Sequence, residues 1–314
     1  MKLSIVATLY RSVPFLEEFC RRASATAQQA FGDDYEIVLV NDGSPDNSLQ
    51  LALELQEGDK HLQVVDLSRN FGHHAAIVAG LSNSRGECVF LIDCDLEEQP
   101  EWLPMFLDKM QQNGADVVFG VQQERVSSPL SNLLGEIFWS ALNIMSSFSI
   151  PHNPMTCRLM KRGYVDSLLS VEDRVLYLAG VFAWTGYNQT SIPLKKIPRH
   201  KAHKSTYSLS RKLLQVADSF ASFSVAPLSL IFFTGLVVWV GSVLYALLLL
   251  AKKMIQPDMV LSGFTSIMLS FWFLGGTIIL FLGILGLYVA KIFQEVKRRP
   301  LYIVRNLYRG DRHE

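Results

Sequence analysis

Two long stretches without a charged side chain constrain this chain more than any other feature of its sequence. They span residues 219–251 and 259–290. Each has about 32 residues, whereas roughly 20 apolar residues in a helix suffice to cross the hydrocarbon core of a bilayer. Residues 224–290 are therefore predicted to form a hairpin of two transmembrane helices, at about 225–251 and 262–290. The alternative is a pair of long helices buried in a protein core.

Basic residues flank the predicted hairpin on both sides. They are Lys195, Lys196, Arg199, Lys201, Lys204, Arg211 and Lys212 before it, and Lys291, Lys297, Arg298, Arg299 and Arg305 after it. Because lysine and arginine accumulate on the cytoplasmic side, we predict a multi-pass protein of the cytoplasmic (inner) membrane with both termini in the cytoplasm. Residues 291–314 then form a basic cytoplasmic tail. Residues 208–223 form either an amphipathic juxtamembrane helix or an ordinary core helix.

Composition limits the classes of function that remain. Acidic and basic residues balance at 29 each, so no overall charge favours nucleic acid as a partner. The four cysteines fit no zinc-ligand spacing and are interpreted as reduced thiols. The apolar run 3–9 is too short for a signal peptide, which predicts that the part before the hairpin stays in the cytoplasm.

The first 120 residues alternate between apolar runs and stretches with helical spacing. Strands are predicted at 3–9, 35–40, 62–67, 88–92 and 116–120, and helices at 14–31, 48–56, 72–82 and 100–113. This alternation predicts an α/β fold with a mostly parallel, Rossmann-like sheet covered on both faces. Ligands of such sheets bind beyond the carboxyl ends of the strands, where the polar residues of this sequence gather.

Two aspartates, Asp93 and Asp95, directly follow the fourth predicted strand, and Glu97 comes two residues later. Carboxylates placed in this way can hold a hard divalent cation that bridges two phosphates. A solvated turn is the ordinary explanation for such a pair. Here the apolar strand before the pair and the α/β pattern around it favour a metal site.

Several stretches together carry a resemblance to a known family. They are 4–10 (SIVATLY), 38–44 (VLVNDGS), 68–72 (SRNFG), 91–101 (LIDCDLEEQPE), 157–162 (CRLMKR) and 204–208 (KSTYS). In this order, with the hairpin after them, they resemble family 2 glycosyltransferases of the GT-A fold. The branch is that of dolichol-phosphate mannose synthase and the bacterial polyprenyl-phosphate (undecaprenyl or bactoprenol) glycosyltransferases. The resemblance implies a GT-A domain over residues 1–207.

The resemblance also implies roles for individual residues. It implies Asp93, Asp95 and Arg158 as catalytic residues; Thr8, Tyr10, Asp42 and Asp93 for the donor nucleotide; Arg125, Arg158, Arg199 and Lys204 for phosphate and acceptor; and Asp95, Glu97 and Asp93 for Mg²⁺ or Mn²⁺. His73 and His74 open the third predicted helix, either as polar surface or in contact with the donor diphosphate.

The reaction that this resemblance implies is transfer of a sugar, with inversion, from a UDP- or GDP-sugar to a polyprenyl phosphate. The sequence departs from the family at 10–12 and at 153–157, where a first-loop motif and an acidic residue are missing, and a motif of polymerising synthases is absent. Two alternatives stay open: another membrane-bound or lipid-diphosphate saccharide acceptor, and a non-catalytic nucleotide-binding scaffold. Homo-oligomer formation also stays open.

Overall fold

The computed structural model describes residues 1–123, 153–171, 178–196, 233–234, 237 and 264–309. The chain divides into two compact units. The first contains Met1–Asn143, Phe148–Thr206 and Arg298–Glu314, and the second contains Ile144–Ser147 and Tyr207–Lys297. The predicted juxtamembrane helix at 208–223 lies outside the described residues, as does all but three residues of the first predicted transmembrane helix.

The first unit is built on an eight-stranded sheet. Its strands are β1 (Leu3–Leu9), β2 (Tyr35–Asn41), β3 (Leu62–Leu67), β4 (Cys88–Leu91), β5 (Val117–Gln122), β6 (Pro154–Lys161), β7 (Gln189–Leu194) and β8 (Val304–Arg309). They lie in the order β7-β5-β6-β4-β1-β2-β3-β8. The central strands β4, β1, β2 and β3 are parallel, whereas β6 and β8 are antiparallel to their neighbours. The predicted α/β sheet is confirmed, and it is a mixed sheet consistent with a GT-A domain.

Helices follow the strands as the apolar spacing predicts. They are α1 (Val13–Phe31), α2 (Ser48–Gly58), α3 (His73–Asn83), α4 (Leu103–Asn113, after a 3₁₀ turn at Pro100–Trp102), α5 (Arg162–Leu169), α6 (Leu178–Trp184) and, in the second unit, α7 (Phe264–Val296). Prolines stand in the first turns of α1 and α4, where a missing N–H leaves no bond unmade. Gly114 ends α4 in the left-handed conformation that glycine adopts without strain.

The core of the first unit lies between the sheet and its helices. The central strands are buried along almost their whole length, as expected for parallel strands covered on both faces. On one face, the rings of Phe90 and Phe106 meet edge to face with centroids 5.5 Å apart. On the other face, α3 lies so close to the sheet that a Cβ at Gly80 would collide with Val6 and lie 2.9 Å from Val40. This contact fixes the distance between α3 and the sheet, and thereby the position of the first residue of α3.

Three segments differ from the sequence prediction. The sequence of the stretch 182–193 is typical of strand and turn, but α6 extends to Trp184 and only Gln189–Leu194 form a strand. No strand was predicted at β6, where a proline and an arginine interrupt the apolar pattern. No strand was predicted at β8 either, which places part of the predicted basic tail in the edge of the sheet, beside β3.

The helix α7 has 33 residues and includes the second predicted transmembrane segment, 262–290, from Phe264 onward. Taking only the residues that the structure describes, no helix meets the length and apolarity needed to cross a membrane.

Candidate active site

The parallel strands bring four polar loops to one edge of the sheet. Leu9 of β1 pairs with Asn41 of β2, and Asn41 pairs with Asp66 of β3, so these three strands end at the same level. The strand β4 runs beside β1 in the same direction and leads into Asp93. The loops after β1, β2, β3 and β4 therefore lie side by side, as expected for a binding site in a parallel sheet.

Asp42 joins the loop after β2 to the loop after β3. One carboxylate oxygen accepts a hydrogen bond from the Phe71 N–H at 2.7 Å, and the other accepts one from the Gly72 N–H at 3.0 Å. The side chain is buried, and this burial raises the pKa of Asp42, although the two N–H groups and His73 oppose the rise. In this arrangement Asp42 holds the start of α3 in place. Its predicted contact with a nucleotide stays a prediction.

The two loops also touch through their backbones. Gly43 has a φ of +55°, and a Cβ there would clash with the backbone of Arg69 and Asn70. Asn70 donates from its side chain to the Asp42 carbonyl at 3.0 Å. The loops after β2 and β3 thus form one packed layer, in which only glycine fits at position 43.

His73, the first residue of α3, lies between two residues predicted from the sequence. Its Nδ1 is 3.2 Å from Thr8 Oγ1, and its Nε2 is 3.6 Å from Asp93 Oδ1. These contacts join the end of β1 to the turn after β4. The structure thus brings Thr8 and Asp93 together through a histidine for which the sequence left two interpretations open.

The turn after β4 directs its side chains alternately into the core and out of it. Cys94 is buried between the two aspartates and donates from Sγ to Ser12 Oγ, which lies 3.1 Å away. Burial raises the pKa of this thiol to about 12, so it stays protonated and able to donate. Leu96 has a φ of +60°, an uncommon backbone conformation for a leucine that is often found at functional turns. The bond from Cys94 fixes this turn against the loop after β1.

Lys196, which follows β7, lies among the carboxylates of this turn. Its Nζ is 3.4 Å from Glu98 Oε1 and 3.7 Å from Glu97 Oε2. Burial by itself lowers the pKa of Lys196, but the carboxylates of Glu98, Asp93, Glu97 and Asp95 outweigh it and raise this pKa. This ammonium therefore contacts two carboxylates of the turn, and two more raise its pKa through their charge. From the sequence, Lys196 was interpreted only as part of the basic flank of the predicted hairpin.

Glu98 lies beneath the turn and is completely buried. Its Oε2 accepts a hydrogen bond from the Asp93 N–H at 3.3 Å, so it supports the first aspartate from below. Burial and the nearby Asp93 carboxylate raise the pKa of Glu98 to about 7, and Lys196 opposes this rise. The sequence carries no signal that separates Glu98 from the acidic residues around it, because burial alone distinguishes it.

The carboxylates suit a hard divalent cation. Asp95 accepts a bond from the Glu97 N–H at 3.1 Å, which fixes the turn that carries both side chains. No group of three or more histidine, cysteine, aspartate or glutamate side chains that could hold a metal is found among the described residues. Magnesium, however, is often held by one or two carboxylates together with substrate phosphates. The structure does not gather Asp95, Glu97 and Asp93 into one cluster of three, so their predicted contact with a cation stays a prediction.

Arg158 lies in β6 and not on the open edge of the site. It is 4% exposed, its guanidinium stacks 3.4 Å from the centroid of the Phe182 ring, and its nitrogens donate to the carbonyls of Met155 and Thr156. Burial lowers the pKa of Arg158 to about 10, which leaves it charged at neutral pH. In this structure it joins β6 to α6. Its predicted contact with diphosphate and acceptor stays a prediction.

The remaining predicted residues divide between the site and the undescribed stretches. Tyr10 stands at the end of β1 with half of its surface exposed, and its N–H donates to Ser12 Oγ at 3.0 Å. The Arg11 guanidinium carbon lies 5.7 Å from the centroid of the Tyr10 ring. Arg125, Arg199 and Lys204, predicted to bind phosphate and acceptor, lie outside the described residues.

Comparisons with known proteins assign the chain that carries this site to a family. Residues 4–169 match Glycosyl transferase family 2. A protein of Mycobacterium tuberculosis assigned to the glycosyltransferases is 40% identical over 311 residues, which cover 99% of this chain and 90% of that protein.

Two relatives bear the names of lipid-linked sugar transferases. A prophage-derived bactoprenol glucosyl transferase of Shigella flexneri is 31% identical over 99% of this chain and 100% of that protein. An undecaprenyl-phosphate 4-deoxy-4-formamido-L-arabinose transferase of Salmonella paratyphi B is 30% identical over 98% of this chain and 93% of that protein. Together with the sheet and its carboxylate turn, these matches show that the chain belongs to glycosyl transferase family 2.

Proposed function

We propose that this protein transfers a sugar, with inversion at the anomeric carbon, from a nucleotide-diphospho-sugar to a polyprenyl phosphate. The observation that carries the proposal is the carboxylate turn at the edge of the sheet, where Asp93, Asp95 and Glu97 follow β4 and Lys196 Nζ lies 3.7 Å from Glu97 Oε2. Such a turn can hold a cation against a diphosphate. The names of the Shigella and Salmonella relatives support a polyprenyl phosphate as the acceptor.

The donor would lie across the loops after β1, β2 and β3. Tyr10 offers an exposed ring to a base, and the loops held together by Asp42 form a fixed floor. His73 contacts both Thr8 and Asp93, so these side chains are already oriented when the diphosphate binds. Orientation of this kind lowers the barrier because less freedom is lost when the reaction begins.

Charge on the leaving diphosphate is the main obstacle to the reaction. Asp95 and Glu97, with Asp93, would hold Mg²⁺ or Mn²⁺, which supplies positive charge to the departing nucleoside diphosphate. Lys196, which follows β7, provides a positive charge beside this turn. Preorganised charges of this kind stabilise a transition state without having to reorganise during the reaction.

The acceptor needs positioning more than deprotonation. A phosphate monoester has its second pKa near ~6, so the lipid phosphate is already an oxyanion at neutral pH. The missing acidic residue at 153–157 therefore does not argue against this reaction. Direct attack of the phosphate oxygen on the anomeric carbon breaks the bond to the diphosphate and inverts the configuration.

We place the reaction at the cytoplasmic face of the inner membrane. The charge-free stretches 219–251 and 259–290 support this part of the proposal. In α7, the apolar side chains of Phe271, Leu282 and Val289 are each at least 60% exposed, which suits a lipid environment better than water. A protein inserted through these segments would meet its lipid acceptor in the plane of the membrane.

The test is transfer of radiolabel from a panel of UDP- and GDP-sugars into a chloroform-soluble product. The full-length protein in detergent is incubated with a polyprenyl phosphate and Mg²⁺ or Mn²⁺. Asp95→Asn is the test variant, and Asp108→Asn, an exposed aspartate in α4, is the matched control. We expect labelling that chelation abolishes, that Asp95→Asn lowers at least a hundredfold, and that the control retains.

Three outcomes would contradict parts of this proposal. Label that enters only a lipid-diphosphate saccharide would identify another acceptor. A product whose anomeric configuration is retained in NMR spectra would exclude direct displacement. No transfer from any donor, in folded protein that still binds nucleotide, would favour the non-catalytic scaffold.

A further inference from the structure

The last described strand of the chain forms one edge of the sheet, beside the strand whose loop leads to the proposed donor site. The strand β8 pairs with β3 in antiparallel register, with Val64 opposite Tyr308 and Asp66 opposite Asn306. The register shifts between Asp66 and Leu67, because Leu67 lies opposite Val304. Arg305 therefore stands opposite this shift. An irregularity of this kind turns a side chain out of the regular alternation and often lies beside a functional site.

Arg305 uses this position to hold the end of β3. Its Nη2 donates to the carbonyl oxygen of Ser68 at 2.6 Å, and its Nη1 lies 3.7 Å from Asp66 Oδ2. The Ser68 N–H donates in turn to the carbonyl of Ile303 at 2.9 Å. Both backbone groups of Ser68 are thus bonded to the C-terminal segment and not to neighbours in its own loop.

Asp66 passes this contact on to the loop after β2. Its side chain is 2% exposed, and its Oδ1 accepts a hydrogen bond from Asn41 Nδ2 at 2.8 Å. Asn41 Oδ1 accepts a bond from the Ser44 N–H at 3.2 Å. A buried carboxylate is costly unless it is paired and hydrogen-bonded. The guanidinium of Arg305 is the cation that faces Asp66 in the described part of the chain.

The loop that Arg305 holds leads directly to the site. Four residues after Ser68 the chain reaches Gly72, whose N–H, like that of Phe71, is bonded to the Asp42 carboxylate. His73 follows, with its contacts to Thr8 and Asp93. Any displacement of the loop at Ser68 would therefore move the histidine that joins the two sides of the site.

We propose that Arg305 is a positioning residue for the donor site, and that the C-terminal strand β8 is a working part of that site. Arg305 fixes the loop from Ser68 to Gly72 through the Ser68 carbonyl and the buried Asp66 carboxylate. More than 230 residues of sequence separate Arg305 from this loop. The guanidinium does not touch the reacting atoms. The proposal rests on the proposed function only for the identity of the ligand that the loop binds.

The experiment compares Arg305→Ala with Arg309→Ala in the full-length protein. Both substitutions remove one arginine from β8, but Arg309 lies at the other end of the strand, opposite Gln63. Arg305→Lys keeps the positive charge near Asp66 but cannot contact Asp66 and the Ser68 carbonyl through two separate nitrogens. Arg305→Gln keeps a donor for the Ser68 carbonyl and replaces Arg305→Ala if that variant does not fold.

The first readout is amide hydrogen exchange, which does not depend on activity. The Phe71 and Gly72 amides are expected to exchange at least fivefold faster in Arg305→Ala than in the wild type, because local opening of the loop becomes easier. Arg309→Ala is expected to leave them within about twofold of the wild type, and Arg305→Lys to lie between. Equal exchange of these amides in Arg305→Ala and Arg309→Ala overturns the proposal.

The second readout is the division of the kinetic effect. Since Arg305 organises the binding loop, we expect Arg305→Ala to raise the KM for the donor by about five- to tenfold and to leave kcat within about twofold. A fall in kcat with unchanged donor KM overturns the positioning role. Failure of the proposed function is seen separately, since the protein would then transfer no sugar while the exchange comparison still decides the role of Arg305.

Discussion

The pair of Lys196 and Glu98 offers a test of how the carboxylate turn is held together. Glu98 is completely buried, and Lys196 Nζ lies 3.4 Å from its Oε1. At a pH well above 7, where Glu98 with its pKa of about 7 is ionised, replacing Lys196 by Met would leave a buried carboxylate without its cation. Replacing Glu98 by Gln would leave an ammonium that still has Glu97 Oε2 at 3.7 Å. The two single changes are therefore expected to differ in cost, and the double change to cost less than their sum.

The magnitudes follow from this burial. Removing one partner of a buried ion pair costs about 3–5 kcal/mol, because the other charge stays buried. The Lys196 side chain is 25% exposed, so water reaches the pair, and we expect about 3 kcal/mol for Lys196→Met, at the low end of that range. For Glu98→Gln we expect about 1 kcal/mol, and for the double variant about 1.5 kcal/mol, which is a coupling energy of about 2.5 kcal/mol.

The assay must report on the unit that contains the pair. Exchange of the most protected amides of β4 and β6, measured at several urea concentrations, gives the free energy of opening for this unit alone. Lys195→Met, at an exposed neighbouring position, controls for the loss of one positive charge. If the costs of the two single substitutions add to that of the double variant within about 0.5 kcal/mol, the pair is not coupled and the reasoning fails.

Three further predictions concern packing, loop geometry and the cation. Gly80→Ala should destabilise the first unit by about 1–3 kcal/mol through overpacking. Gly163→Ala, with open space around its Cβ, should stabilise α5 slightly. Urea unfolding in which both variants change the free energy of unfolding in the same direction would contradict this. Asp42→Asn retains one acceptor oxygen for two N–H groups, so it should lower the free energy of unfolding by about 1–2 kcal/mol and speed amide exchange at Phe71 or Gly72. Unchanged exchange at both amides would show that Asp42 does not hold the start of α3. EDTA should abolish transfer and added Mg²⁺ restore it, with Asp95→Asn needing more metal; transfer in EDTA would exclude the cation.

The central strands could be predicted from sequence because each is a short apolar run ended by polar residues. The strands β1 and β3 have the predicted bounds, and β2 and β4 differ by one residue. Parallel strands buried on both faces leave no alternation to confuse the pattern. The aspartates of the site could be found for the same reason, since they stand where these apolar runs end.

The strands β6 and β8 could not be predicted, because their residues take their partners from distant parts of the chain. In β6, Arg158 interrupts an apolar run, and only the Phe182 ring and two carbonyls of its own strand make its burial acceptable. In β8 the charged residues Arg305 and Arg309 suit the exposed edge of a sheet, yet in sequence they resemble a solvated tail.

The same argument explains which half of the site the sequence revealed. The acidic residues lie on local motifs, directly after the strands that position them. The same short stretch of sequence therefore predicts both their chemistry and their position. The cations do not lie on such motifs. Lys196 contacts the turn after β4 from just beyond the end of β7, and Arg305 contacts the loop after β3 from the last described strand. Excess carboxylates at the end of buried strands need cations, which a protein can draw from any segment that the fold brings near. For a site of this kind, a cluster of acids in sequence therefore predicts basic side chains at long separation, and the place to look for them is among lysines and arginines that lie in or directly after late or edge strands.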